Sequence, residues 1–160
     1  MIDVRAAVYA GVAAGIVSTL APIALWLIFY DAFPAILFRD ARLTAAIVMG
    51  RGVLAPPTTF DLPVMLVATL VHFALSMLYG LILSWLMSRL ATPLSTIVGA
   101  AFGLILYAAN MYGFTVVFPW FEAARDWITL ASHLVFGVVA ALVYKALSRR
   151  RGVHAHDAGG

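Results

Sequence analysis

The charged residues of this chain fall so far apart that four of the stretches between them are each long enough to cross a lipid bilayer. There are 25 uncharged residues between Arg5 and Asp31, 27 between Asp61 and Arg89, 32 between Arg89 and Glu122, and 18 between Asp126 and Lys145. About 20 apolar residues cross roughly 30 Å of hydrocarbon at about 1.5 Å per residue. With 64% apolar and 11% charged residues, the chain also lies well above the roughly 45–50% apolar content of soluble domains. The sequence therefore reads as an all-α integral membrane protein with four transmembrane helices, near 6–30, 62–88, 95–118 and 127–147. Ala91-Thr92-Pro93 reads as a turn, and Phe118-Pro119-Trp120 as the exit from the third helix. The first span exceeds the roughly 7–15-residue core of a secretory signal and reads as a retained helix. Residues 1–150 form one transmembrane domain, and 151–160 are expected to be a disordered cytoplasmic tail, because Gly, Ala, His and Asp there cannot bury a core.

Lys and Arg are unevenly shared between the two sides. Arg5, Arg89, Lys145, Arg149, Arg150 and Arg151 belong to the termini and the second loop, against Arg39, Arg42, Arg51 and Arg125 in the other two loops. The positive-inside bias places both termini in the cytoplasm. Nucleic acid is not an expected partner, since the basic residues sit singly at helix ends with no aromatic-interleaved basic face. With no cysteine, thiolate catalysis and iron–sulfur ligation by cysteine are excluded.

The spans fall into two similar pairs. Gly11 and Gly15 recur as Gly99 and Gly103, and His72 with Ser76 recurs as His133 with Gly137. Each half continues through Phe-Pro and Arg-Asp, and each histidine helix closes on Ser-Arg, at Ser88-Arg89 and Ser148-Arg149. Two spans per half make this a parallel repeat about an axis along the membrane normal, with chance similarity as the competing explanation. Small residues four apart make a flat helix face that admits a neighbouring backbone, which assigns Gly11, Gly15, Gly99, Gly103 and Gly137 to helix packing. Such faces also suit a homo-oligomer. The first half carries 27 extra residues between its second glycine and its histidine, and within them Asp40–Met49 reads as a short interfacial helix with Asp40 at its start.

An ionisable side chain inside a bilayer is costly and calls for a reason. On this topology His72 and His133 lie about 15 and 10 Å from the outer ends of their helices, and Asn110 falls in the same outer half, near Tyr107. The candidate site is a polar intramembrane cluster of His72, Asn110, His133, Ser76 and Tyr107. Three readings of it stand open: interhelical hydrogen bonding alone, a proton or small-solute pathway, and a haem held by the two histidines. No cofactor is required by the first two, and no metal site is expected, because no intramembrane carboxylate completes a ligand set. There is no Gly-x-Ser-x-Gly, no His-Glu-x-x-His and no phosphate-binding loop, so no enzymatic activity is expected.

Through Ile36-Leu37-Phe38-Arg39-Asp40-Ala41-Arg42-Leu43, Val71-His72-Phe73-Ala74-Leu75-Ser76 and the run Asn110–Glu122, the chain resembles small four-helix proteobacterial inner-membrane proteins that often carry the label "sodium:proline symporter". More distantly, Val71-His72-Phe73, the Gly99/Gly103 pair, Pro119-Trp120-Phe121-Glu122 and Ser132-His133-Leu134-Val135 are similar to YagU-like inner-membrane proteins linked to acid tolerance. The resemblance implies a bacterial inner-membrane, multi-pass scaffold. Sodium-coupled symport itself uses many more spans, with broken helices that expose carbonyls to the ion. The expected role is a structural or stress-related membrane protein whose histidine layer senses or passes protons. A small proton-linked transporter or channel subunit and a haem-binding redox protein are the alternatives.

Overall fold

Three aspartates at the edges of the uncharged stretches start three of the long helices. In the computed structural model, which describes residues 2–31 and 33–157 and side chains as far as Arg149, Asp3 accepts from the Ala6 N–H and opens α1, Val4–Phe29. Asp61 does the same for α3, Leu62–Met87, through the Val64 N–H, and Asp126 for α5, Trp127–Asp157, through the Thr129 N–H. A carboxylate in this position satisfies one of the helix's four free N–H groups and faces the positive end of its dipole. Between them lie α2, Ala35–Met49, and α4, Thr92–Ala108. No strand occurs among the described residues, and four helices are long and apolar enough to cross a membrane: Val4–Phe29, Leu62–Met87, Thr92–Val116 and Trp127–Arg149.

The boundaries differ from expectation in four places, each for a local reason. Thr92 and Pro93 form the first turn of α4 rather than a turn before it, because a proline there lacks only an N–H that would have no partner. Asp40 lies inside α2, which starts five residues earlier, directly after Pro34. The third span does not run as regular helix to 118. Beyond Ala108 it widens into a π-helical turn, Ala109–Gly113, then tightens into 3-10 turns at Phe114–Val116 and Pro119–Ala124. Arg125 ties this segment together: its Nε donates to the Met111 carbonyl at 2.6 Å and its Nη2 to the Thr115 hydroxyl at 2.8 Å. Its guanidinium also lies 4.5 Å from the Tyr112 ring centre. Finally, α5 continues through 151–157 of the tail, where composition suggested disorder; a single glycine, Gly152, does not stop a helix that long. Residues 158–160 lie outside the described residues.

The long helices run up-down-up-down, so both chain ends and the turn between α3 and α4 share one end of the bundle. Glycine decides how they meet. A Cβ on Gly11 would lie 2.5 Å from Ser76 O, and one on Gly80 would lie 2.7 Å from the Gly11 Cα, so α1 and α3 touch backbone to backbone. The α4–α5 pair repeats the contact more tightly: a Cβ on Gly99 would strike the Gly137 carbonyl, one on Gly103 the His133 carbonyl, and one on Gly137 the Gly99 carbonyl. All five glycines assigned to packing, and Gly80 besides, thus meet a neighbouring helix of the same chain.

The two pairs join along α1 and α5, not along α3 and α4. Ala6, Ala7, Ala10 and Ala14 of α1 pack with Phe136, Ala140, Ala141 and Tyr144 of α5, with Leu83, Met87 and Leu106, in an apolar core that runs from the end carrying the termini up to the level of Leu106 and Phe136. At that end Lys145 closes the α3–α4 turn by donating to Leu90 O at 2.6 Å. By contrast, α3 makes little contact with α4. Toward the opposite end the gap between them is covered by α2, held down by Trp120 Nε1 donating to Leu43 O at 2.9 Å and by Arg42 donating to Val53 O and Thr59 O.

Candidate functional site

The space left between α3 and α4 is a cavity of about 390 Å³. His72, Ser76 and Tyr79 of α3, Asn110 of the π-helical turn and His133 of α5 line it, among apolar walls that include Leu106, Phe114 and Phe136. Residues far apart in sequence are gathered here because α1, α3 and α5 and the π-helical turn present polar side chains at this level, where α3 and α4 stand apart.

His133 sits in a continuous chain of hydrogen bonds. The Tyr79 hydroxyl donates to Asn110 Oδ1 at 3.3 Å, Asn110 Nδ2 lies 3.2 Å from His133 Nε2, and His133 Nδ1 lies 2.8 Å from Thr129 O. A carbonyl only accepts, so Nδ1 carries the proton; Nε2 is then bare and accepts from the Asn110 amide. The wider π-helical turn brings Asn110 to this position, a known use of such turns. Tyr107 packs edge-on against the His133 ring with centroids 5.6 Å apart.

His72 is held differently. Its Nε2 lies 3.1 Å from Gly15 O and 3.2 Å from Thr19 Oγ1. The carbonyl again fixes the donor: here Nε2 carries the proton. The contact depends on Gly15, since a Cβ there would lie 3.3 Å from His72 Nε2 and 2.8 Å from Ser76 Oγ. Ser76 is 3% exposed and fills the space against Gly15.

The expected cluster is therefore brought to one cavity but is not one hydrogen-bonded unit. Asn110 bonds to His133 and not to His72, and each histidine has its own helix-pair partners. Tyr79 and Thr19, which complete these bonds, carry no sequence signal beyond falling at the same depth, and Gly80 stands outside any Gly-x-x-x-Gly pair. Among the described residues no group of three His, Cys, Asp or Glu could hold a metal ion. Bis-histidine haem ligation does not fit this arrangement, because both Nε2 atoms face protein partners and both would have to abandon them.

A second cavity, also about 390 Å³, lies between α1, α2 and α3 and includes Asp40, Trp26 and Thr69. Burial pushes the Asp40 carboxyl above its ordinary 3.8; the adjacent Arg39, donating through Nε at 2.7 Å, opposes the shift, and the charge of Asp126 adds to it.

The fold and site define an all-α bundle with four helices fit to cross a membrane and, between two of them, a largely apolar cavity that carries a few polar side chains. In comparisons with known proteins, no family model matches the chain, and neither a curated protein nor a solved structure is detectably similar to it. Function is therefore argued from the geometry.

Proposed function

We propose that this chain is a multi-pass protein of the bacterial inner membrane, with both termini cytoplasmic, whose histidine layer senses protons from the outer side. On this reading the two helix pairs are a parallel duplication, α2 lies at the outer interface, and the role is structural or stress-related rather than enzymatic.

The observation that carries the reading is the pairing of a histidine-lined cavity toward one end with a close-packed, largely alanine and glycine interface toward the other. Protonation of His133 Nε2 would set two donors against each other, Nε2–H and the Asn110 amide. Turning the amide over resolves this, presenting Oδ1 to the imidazolium and Nδ2 to the Tyr79 oxygen, which can accept. A change of charge at one side chain thus becomes a rearrangement spanning α3, α4 and α5. The core below is packed mainly by alanine, leucine and methionine, which favours sensing over conduction.

The test is NMR titration of the His72 and His133 imidazoles in nanodiscs, with His154→Ala and His156→Ala, beside proton flux into proteoliposomes. Titration of at least one imidazole between about pH 5 and 8 without flux above empty vesicles is expected. Flux would replace sensing by transport, and two imidazoles that never titrate would reduce the layer to packing.

A further inference from the structure

The two cavities share four lining residues, and all four are polar: Ser18 of α1, Thr44 of α2, His72 of α3 and Ser132 of α5. One residue from each of four helices thus stands between two largely apolar chambers. What these residues can still bind follows from where their protons go.

The Ser18 hydroxyl donates to Gly15 O at 3.2 Å, Thr44 to Asp40 O at 3.1 Å and Ser132 to Ile128 O at 2.8 Å. His72 commits its Nε2 proton to Gly15 O, which leaves Nδ1 bare. Every proton of the group is used inside its own helix pair, so only lone pairs remain for a guest. A guest must therefore bring donors. No lysine or arginine lines either cavity, and the one charged lining residue is Asp40, with Oδ1 engaged by Arg39. The Trp26 Nε1–H, which has no partner, is a donor in the second cavity, but it lies eight residues further along α1, about 12 Å from Ser18 at the helical rise.

We propose that this polar throat binds the head of a lipophilic primary amine, as the alkylammonium ion, with its apolar chain in the cavity between α3 and α4. An ammonium group carries three N–H donors, which suits several acceptors converging from different helices better than the single donor of an alcohol. Leu75, Leu106, Phe114, Phe118 and Phe136 supply the apolar wall for the chain. The site does not depend on proton sensing, because it uses His72 in its neutral form and leaves the Asn110–His133 bond intact.

The experiment is equilibrium dialysis of the full chain in nanodiscs against labelled hexylammonium, with empty nanodiscs subtracted and hexyltrimethylammonium as the donor-free competitor. One saturable equivalent per chain, not displaced by hexyltrimethylammonium, is expected. Ser132→Ala with Thr44→Val should weaken binding roughly tenfold and Ser132→Ala alone about threefold, while Thr44→Ser, which keeps the acceptor, should bind like the parent. Uptake no greater than that of empty nanodiscs overturns the proposal. So does equal competition by hexyltrimethylammonium, or unchanged affinity in Ser132→Ala at unchanged helix content. The histidine titration is read separately, so either result can fail without the other.

Discussion

His72 and His133 hold opposite tautomers: Nε2 of His72 donates to the Gly15 carbonyl, whereas Nε2 of His133 accepts from Asn110. Each histidine meets a glycine of the neighbouring helix, His72 through its ring at Gly15 and His133 through its backbone carbonyl at Gly103, and the proton sits on different nitrogens. The difference arises because His133 finds a carbonyl within its own helix, at Thr129, while His72 reaches across to α1.

Nitrogen chemical shifts of the two rings, recorded above their titration range, should separate them. His72 is expected with Nε2 protonated and His133 with Nδ1 protonated. Identical tautomers would contradict the hydrogen-bond assignment.

Asn110 joins two partners, so its removal should cost more than the removal of either. Asn110→Ala leaves the Tyr79 hydroxyl and the His133 ring nitrogen unpaired, with an expected loss of about 1–3 kcal/mol, against about 0.5–1.5 kcal/mol for Tyr79→Phe. Reversible unfolding in mixed micelles measures both. Additive losses in the double variant would argue against a shared bond, since coupled partners give less than the sum.

Glycine substitutions should divide by what a Cβ would meet. Gly137→Ala pushes a methyl group into the Gly99 carbonyl on a rigid backbone, whereas Gly113→Ala has no atom within 4 Å. The first is expected to destabilise by about 1–3 kcal/mol or more, as overpacking does. The second is expected to be neutral or to gain about 0.4–1 kcal/mol by restricting the unfolded chain. Thermal denaturation followed by circular dichroism ranks them; equal behaviour would mean the α4–α5 contact is looser than described.

Asp40 gives the outer region a pH dependence of known sign. Its carboxyl is raised above 3.8, chiefly by burial, so the folded state binds its proton more tightly than the unfolded state does. Its contribution therefore favours folding below 3.8 and declines as pH rises through the folded value. The stability difference between the parent and Asp40→Asn, followed upward from about pH 4, should shift in favour of the variant. A difference that moves the other way would mean that the Arg39 pair, not burial, dominates.

The four long apolar helices were legible because Arg5, Asp31, Asp61, Arg89, Glu122 and Asp126 leave long uncharged stretches between them, and Asp61 and Asp126 directly precede the helices they cap. Gly11, Gly15, Gly99, Gly103 and Gly137 were legible as packing residues for a related reason, since only small residues let backbones meet. The tautomers were not, because they depend on which carbonyl stands opposite a ring in three dimensions. Nor was the cavity. Two similar helix pairs suggest equal contacts all round, but α1 and α5 take up the alanine faces and leave α3 and α4 apart. The π-helical turn at Asn110 escaped notice because Ala109-Asn110-Met111-Tyr112-Gly113 has no local pattern that separates it from ordinary helix.

The alanine and glycine contacts at the terminal end also determine how the molecule can move. With backbones already in contact, α3 is held to α1 and α4 to α5, and α1 packs on α5 in turn, so the freedom of α3 and α4 lies toward the other end. The pair is built like tweezers, joined at the base by Lys145 and Leu90 and closed at the tips by α2. A guest or a proton that altered the tips, as proposed, would swing the helices about that base, and the end of the bundle that carries both chain termini should stay still while the opposite end changes shape.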